Sequence, residues 1–154
     1  MRLGLNGRLH TLARAAGYFA TAICVNYNAA TGEVRYVRAG HPSPLLARAD
    51  GRLESLAKQQ PALGMFPDLR YEEAATQLAP EDVLVLLTDG ALEVTNTANE
   101  ELGRTGLEQL WRAEANGAPP EAVSLANIEE RLLRFSNQIH LPDDLTLVKI
   151  ARQH

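Results

Sequence analysis

From Val83 to Leu87 five apolar residues run without a break, and Thr88, Asp89 and Gly90 follow directly. An unbroken run of this length predicts a short strand buried on both faces. Elsewhere the period changes. Leu5, Leu9, Leu12 and Ala16 recur at helical spacing, with Gly17 placed to end the helix. Tyr18 to Tyr27 is aromatic and β-branched and predicts a strand. Asn28 to Gly32 is a short loop, and Glu33 to Arg38 predicts the returning strand of a hairpin.

Two prolines and a glycine interrupt the pattern at Ala39-Gly40-His41-Pro42-Ser43-Pro44. Pro44 to Ala47 resumes as a strand, expected at a sheet edge because proline cannot donate to a ladder. Asp50-Gly51 turns the chain into Arg52–Leu56, and Gln60 to Pro67 is an apolar, irregular loop. Tyr71 to Leu78 is a weaker strand, since Glu72, Glu73 and the alanines oppose it. Pro80-Glu81-Asp82 turns into the buried run. After a polar loop from Thr95 to Glu101, Leu102-Gly103 leads into a helix. There Thr105 and Glu108 are spaced as a capping box, and Leu107, Leu110 and Trp111 form the apolar stripe. Asn116-Gly117 ends it, and Pro119-Pro120-Glu121 opens another helix with Leu125, Ile128, Leu132 and Phe135 inward. Trp111 and Phe135 are expected in the core. Leu145 to Ile150 is the last strand. One helix, many strands, two helices and a final strand predict an α+β fold with mainly antiparallel strands.

Composition narrows the class only a little. With 154 residues, 45% hydrophobic and 22% charged, the chain suits one soluble globular domain. A formal charge of −4 gives no support to nucleic-acid binding. Up to Arg48 nearly every charge is an arginine, whereas Asp68 to Glu101 is nearly all acidic. Such asymmetry is compatible with a cation-binding end, but solvated acidic loops account for most of it more cheaply. Cys24 is the only cysteine, so there is no disulfide framework or thiolate zinc site, and it is expected to be a small buried hydrophobe. No stretch approaches the ~20 apolar residues of a membrane span. With no secretory-type leader at the N-terminus, the expected location is cytoplasmic, in a reducing compartment.

Chemistry concentrates on two carboxylate clusters. Asp89 follows one strand, and Asp143-Asp144 precedes another. Asp-Gly is a common turn dipeptide, so Asp89-Gly90 taken alone reads as a turn ahead of a site. If the two strands were antiparallel neighbours, both clusters would lie at one sheet edge, as hard cations such as Mg²⁺ or Mn²⁺ require. Other chemistries have less support. There is no GxxxxGK[ST] loop, GxGxxG fingerprint or HExxH pair. His10, His140 and His154 are scattered, and His41, between Gly40 and Pro42, suits a loop-locking hydrogen bond. A triad of Ser43, His41 and Asp89 can be assembled on paper, without a nucleophile elbow to support it.

Four ordered segments resemble the SpoIIE-type branch of the metal-dependent, type 2C protein serine/threonine phosphatases. They are Phe19-Ala20-Thr21, Arg38 to Leu46, Leu87-Thr88-Asp89-Gly90-Ala91-Leu92-Glu93 and Asp143-Asp144-Leu145-Thr146. Ala62-Leu63-Gly64-Met65 and Ala79-Pro80-Glu81-Asp82 are also similar to family features, although the turn more usually reads Pro-Gly-Asp. The resemblance implies an αββα sandwich of two antiparallel sheets flanked by helices. It implies hydrolysis of phosphoserine or phosphothreonine at a centre of two Mn²⁺ or Mg²⁺ ions. Asp89 and Asp143 would be catalytic metal ligands. Asp144 would support the second loop, Gly90 would allow close backbone approach, and Thr88, Glu93, Thr146, Gly40 and His41 would be supporting residues. The implied partner is a phosphorylated regulator of anti-anti-sigma type in a bacterial stress or sigma-factor pathway.

One departure bears on activity. In the family an earlier Asp-x-x-Gly segment supplies the aspartate that bridges both metals, and nothing before Glu33 here is acidic. Residues 1–154 are therefore expected to form a single phosphatase domain lacking its first strands, first helix and first metal-ligand motif. At most one weakly held cation is expected, and self-association as a homodimer would cover the exposed apolar faces. The alternative is a catalytically inactive binding module of the same fold.

Overall fold

The expected antiparallel pattern is present in the computed structural model, distributed over two sheets. Residues 4–13, 17–139, 141 and 143–152 are described. In chain order the elements are α1 (Leu5–Ala13), β1 (Ala22–Tyr27), β2 (Glu33–Ala39), β3 (Leu45–Ala47), β4 (Leu53–Ser55), β5 (Ala74–Gln77), β6 (Val83–Leu87), α2 (Gly103–Ala115), α3 (Leu125–Ser136) and β7 (Leu147–Ala151). Single 3₁₀ turns lie at Asp89–Ala91 and Pro120–Ala122. The chain divides into two units, Met1–His41 with Ala57–Gln77 and Pro42–Leu56 with Leu78–His154.

The first unit holds α1 and a sheet of order β1-β2-β5. The β1–β2 hairpin closes where Asn28 Oδ1 accepts the amides of Ala30 and Thr31, an Asx turn that lets the chain reverse. Along β2, Val34, Tyr36 and Arg38 are buried while Glu33 and Arg35 are exposed. The expected strand from Tyr18 begins only at Ala22. Its partner β2 ends at Ala39, opposite Ala22, and Gly40 at φ +66° turns the chain away. Gly40 also lies so close to Ala62 that a Cβ would sit 2.8 Å from that residue's Cβ. Cys24 is exposed and not a core residue, because alternation places it with Asn26 on the open face of β1. The leucine stripe of α1 is also largely uncovered, with Leu5 68% and Leu12 76% exposed. Polar contacts hold that helix instead. Asn6 donates to the Phe66 carbonyl (2.7 Å) and accepts the Gly64 amide (2.9 Å), and His10 Nδ1 meets the Gly64 carbonyl (2.8 Å).

The second unit carries α2, α3 and a sheet of order β4-β3-β6-β7. The expected edge strand β3 is an interior strand, because Pro44 stands just before its first ladder residue and costs it no hydrogen bond. Val83, Leu84, Val85 and Leu87 are buried, so β6 has both faces covered as its unbroken apolar run requires. On one face, Leu45, Val83, Val85 and Leu87 join Leu107, Trp111, Ile128 and Leu132 in a continuous core, with Phe135 packed at its margin. Ser124 caps α3 through the Asn127 amide. Pro120 therefore opens the separate 3₁₀ turn and not the helix. Thr105 does not cap α2 either. That helix already starts at Gly103, and the i,i+4 pair Arg104–Glu108 occupies its first turns.

Two charge arrangements tie this unit together. Asp82, buried at the start of β6, accepts from Arg48 (2.8 Å) and from the amides of Ala49 and Ala79 (2.9 Å each). It follows Glu81, whose φ of +70° occupies the left-handed position that glycine adopts most readily. Hydrogen bonding to Arg48 also holds the Glu54 carboxyl below its ordinary range. Arg104 donates to the carbonyls of Ser43 (2.6 Å), Pro44 (3.0 Å) and Glu54 (3.3 Å), anchoring the β3 entry and β4 to α2. Replacing Asp82 by Ala leaves two amides unmatched and takes from the half-buried Arg48 guanidinium one of its two carboxylate partners. In urea unfolding, Asp82→Ala is expected to lose about 3 kcal/mol of stability, whereas an unchanged midpoint would contradict the structural role.

Candidate active site

β6 and β7 pair antiparallel with Leu87 opposite Leu147. The residues after β6 and those before β7 therefore emerge at the same end of the sheet. This realises the juxtaposition that the two acidic clusters required: Asp89 lies on one loop, Asp143 and Asp144 on the other.

Main-chain and hydroxyl bonds join the two loops. The Thr88 amide donates to the Thr146 carbonyl (3.1 Å), and the Thr146 amide donates to Thr88 Oγ1 (2.9 Å). The same hydroxyl donates to the Asp144 carbonyl (3.2 Å). One threonine thus uses its donor and acceptor on opposite sides of the gap. Gly90 completes the approach. A Cβ there would stand 2.6 Å from the Asp144 carbonyl oxygen, a separation that real side chains do not tolerate. Asp89-Gly90 is therefore a tight turn whose glycine admits the other acidic loop.

Beyond Asp89 the chain forms the 3₁₀ turn, with the amides of Leu92 (2.7 Å) and Glu93 (2.9 Å) on the Asp89 carbonyl. Gly90 and Ala91 are buried beneath, which anchors the turn. The carboxylates are open to solvent: Asp89, Glu93, Asp143 and Asp144 are all exposed. Asp89 Oδ1 accepts the Gly90 amide (3.1 Å), and Asp143 Oδ1 accepts the Asp144 amide (2.8 Å). These local bonds orient each carboxylate and leave it lone pairs for a ligand. Two exposed carboxylates on facing loops are hard oxygen donors suited to Mg²⁺ or Mn²⁺. Among the described residues no group of three or more His, Cys, Asp or Glu side chains is gathered as a metal cage. The donor set fits part of a hard-cation shell, with other positions left to water or further ligands.

The remaining candidates are placed differently. Gly40 and His41 follow β2 in the first unit, where Arg38 donates to the His41 carbonyl (3.5 Å) and to that of Lys58 (3.1 Å). The Ser43 hydroxyl donates to the Leu56 carbonyl (3.0 Å), a structural commitment that takes it out of the paper triad. His140 and His154 lie outside the described residues. Arg104, which secures the Ser43-Pro44 backbone, was not anticipated. Its only trace in sequence was the i,i+4 spacing to Glu108.

The architecture is that of the type 2C protein phosphatase fold. Solved structures share the architecture. The RsbU and RsbW domains of Rv1364c from Mycobacterium tuberculosis match at TM-score 0.74 and 25% identity, over 96% of this chain and 40% of that one. The SiaA-PP2C domain of Pseudomonas aeruginosa matches at TM-score 0.76 and 18% identity, over 95% and 57%. Within that class, the family model for stage II sporulation protein E (SpoIIE) matches residues 4–153, so the chain belongs to the SpoIIE family. Among curated relatives, phosphoserine phosphatase RsbU of Bacillus subtilis (strain 168) is 31% identical over 140 residues, 90% of this chain. Phosphoserine phosphatase RsbP of the same organism is 32% identical over 94 residues, 59% of this chain. The chain spans 40% of RsbU's length and 23% of RsbP's.

Gly90→Ala tests the close approach of the loops. The added methyl must displace one backbone, so a loss of about 2 kcal/mol in urea unfolding is expected. Amide shifts should change at Asp143 to Thr146 as well as beside residue 90, and shifts confined to residues 89–92 would contradict the geometry.

Proposed function

We propose that this chain is the phosphatase domain, or most of it, of a protein serine/threonine phosphatase that removes phosphate from a phosphoserine regulator. The observation that carries the reading is the pairing of the Asp89 loop with the Asp143-Asp144 loop across the ends of β6 and β7. Family membership and the phosphoserine phosphatases RsbU and RsbP, as relatives, support it. The proposed partner is a phosphorylated protein of anti-anti-sigma type in a sigma-factor regulatory pathway.

In this reading Asp89 and Asp143 hold a divalent cation, Mn²⁺ or Mg²⁺, from opposite loops. When bound, such a cation lowers the pKa of a coordinated water and draws charge from phosphoryl oxygens. The protein's own part is positional. Thr88 and Gly90 set the gap between the loops, Thr146 completes the bridge, and the exposed carboxylates face solvent where a phosphorylated loop can reach them. Asp144 contributes its backbone carbonyl to the Thr88 hydroxyl, and Glu93 braces the turn after Asp89 through its amide. Among the described residues no helix is long and apolar enough to cross a membrane.

Phosphate release from a phosphoserine protein, followed with and without Mn²⁺, tests the proposal. Metal-dependent release that falls by at least about a hundredfold in Asp89→Asn and in Asp143→Asn is expected, a loss comparable to removing a charged transition-state contact. Absence of turnover at any Mn²⁺ level, with binding of the phosphoprotein retained, would replace the enzyme reading by that of a binding module.

A further inference from the structure

The second unit holds a cavity of about 570 Å³ at the end of its sheet remote from Asp89. β6 leads from Asp82 toward Asp89, and Ala47 stands opposite Val83, so the turn from Arg48 to Leu53 lies beside the start of β6. α2 spans the distance between the two ends. The amide of Gly103, its first residue, donates to the Leu92 carbonyl, whereas Trp111, Arg112 and Ala115 of its last turns line the cavity. The acidic loops therefore take no part in it. Its volume falls within the roughly 300–1,000 Å³ of small-molecule sites.

The floor is apolar. Buried Ala47, Trp111 and Pro120 form it with Leu53 and Ala115, and Gly117, at φ +83°, turns the chain out of α2 toward the proline. Charged residues border it at Arg48, Asp50, Glu81 and Arg112. The first three are engaged. Arg48 forks to Asp82 and Glu54 (2.8 Å each), and Asp50 accepts the Arg52 amide (3.0 Å) and Nε (2.7 Å). Glu81 has a partner of its own. Arg112 differs. It donates to the Gly51 carbonyl (3.2 Å), a neutral acceptor, and among the described residues no carboxylate pairs with it. A guanidinium carries five N–H donors, so most of these face no protein acceptor. The helix dipole accounts for a cation in the last turn of α2, but it does not occupy those donors.

We propose that this cavity binds a small organic carboxylate, its apolar body over Trp111, Leu53 and Pro120 and its carboxylate on the Arg112 guanidinium. Charge and surface together select the ligand. An ammonium ligand would meet the one uncompensated cation, with the rim carboxylates already engaged. A bare inorganic anion would leave the apolar floor uncovered. A carboxylate accepts two parallel N–H bonds from one guanidinium, a match in both charge and shape. The Gly51 carbonyl holds that guanidinium at the cavity. The inference is independent of the phosphatase reading.

Trp111 is the only tryptophan, so its emission reports on the cavity directly. Octanoate, titrated into the chain below its micelle concentration, is expected to shift that emission saturably. Octanol and octylammonium share the hydrocarbon chain without the carboxylate. Each is expected to bind at least about tenfold more weakly, the weight of one hydrogen bond between charged groups. Arg112→Gln, at an exposed position, is expected to lose about the same factor for octanoate with unchanged circular dichroism. An emission that octanoate leaves unmoved would overturn the inference. So would octylammonium binding as tightly as octanoate, or full octanoate affinity retained in Arg112→Gln.

Discussion

The antiparallel register of β6 with β7 is the constraint on which the candidate site depends. Leu87 opposite Leu147 makes both strands finish together, so the two acidic loops have no alternative but to leave from one end of the sheet. A slip by one residue would exchange the faces of an entire strand. β6 has buried side chains on both faces, among them Val83, Leu84, Val85 and Leu87, while β7 is partly exposed with Lys149 committed to the Val123 carbonyl. Lys149, held by the Glu121 and Val123 carbonyls, therefore ties β7 to this register more than the evenly apolar β6 does. Gly90 and the Thr88 hydroxyl then close the remaining distance, one by omitting a side chain and the other by supplying two hydrogen bonds.

The elements that bear no candidate ligand serve this arrangement at one remove. Asp82, matched to Arg48 and two amides, fixes the start of the strand whose other end presents Asp89. Arg104 secures the entry to β3, which pairs with β6 through Leu45 opposite Val85. Both tie down backbone by charge-assisted hydrogen bonds, which are stronger than neutral ones. Rigidity at the buried end of β6 and exposure at the end that presents Asp89 suit the proposed site, where a protein substrate would have to reach the carboxylates. The carboxylates can stay open to solvent because the backbone beneath them is held elsewhere.

Much of this was legible in the residues. The unbroken run Val83–Leu87 announced a strand covered on both sides, and Asp89 with Asp143-Asp144 announced two acidic loops. Family resemblance connected them before the register did. The misreadings have physical causes. β3 was expected at an edge because Pro44 lacks an amide hydrogen, but that residue stands outside the ladder. Thr105 and Glu108 have capping-box spacing inside a helix that starts earlier, and Pro120 starts a 3₁₀ turn because Ser124 offers the better cap. Cys24 looked like core because neighbouring residues are apolar, yet alternation along β1 put it outside. Partners far apart in sequence, such as Arg104 with Ser43 and Pro44, leave almost no local trace.

The central claim is that the Asp89 and Asp143 loops form one cation-binding end of the sheet. Titration of the isotope-labelled chain with Mn²⁺, followed by paramagnetic broadening of amide resonances, tests it most directly. The account predicts that the amides of Asp89, Gly90, Asp143 and Asp144 broaden together at the lowest Mn²⁺ additions, and that Asp89→Asn weakens the effect on both loops. Broadening of one loop alone, or broadening that begins at the acidic residues Glu72 and Glu73 instead, would contradict it.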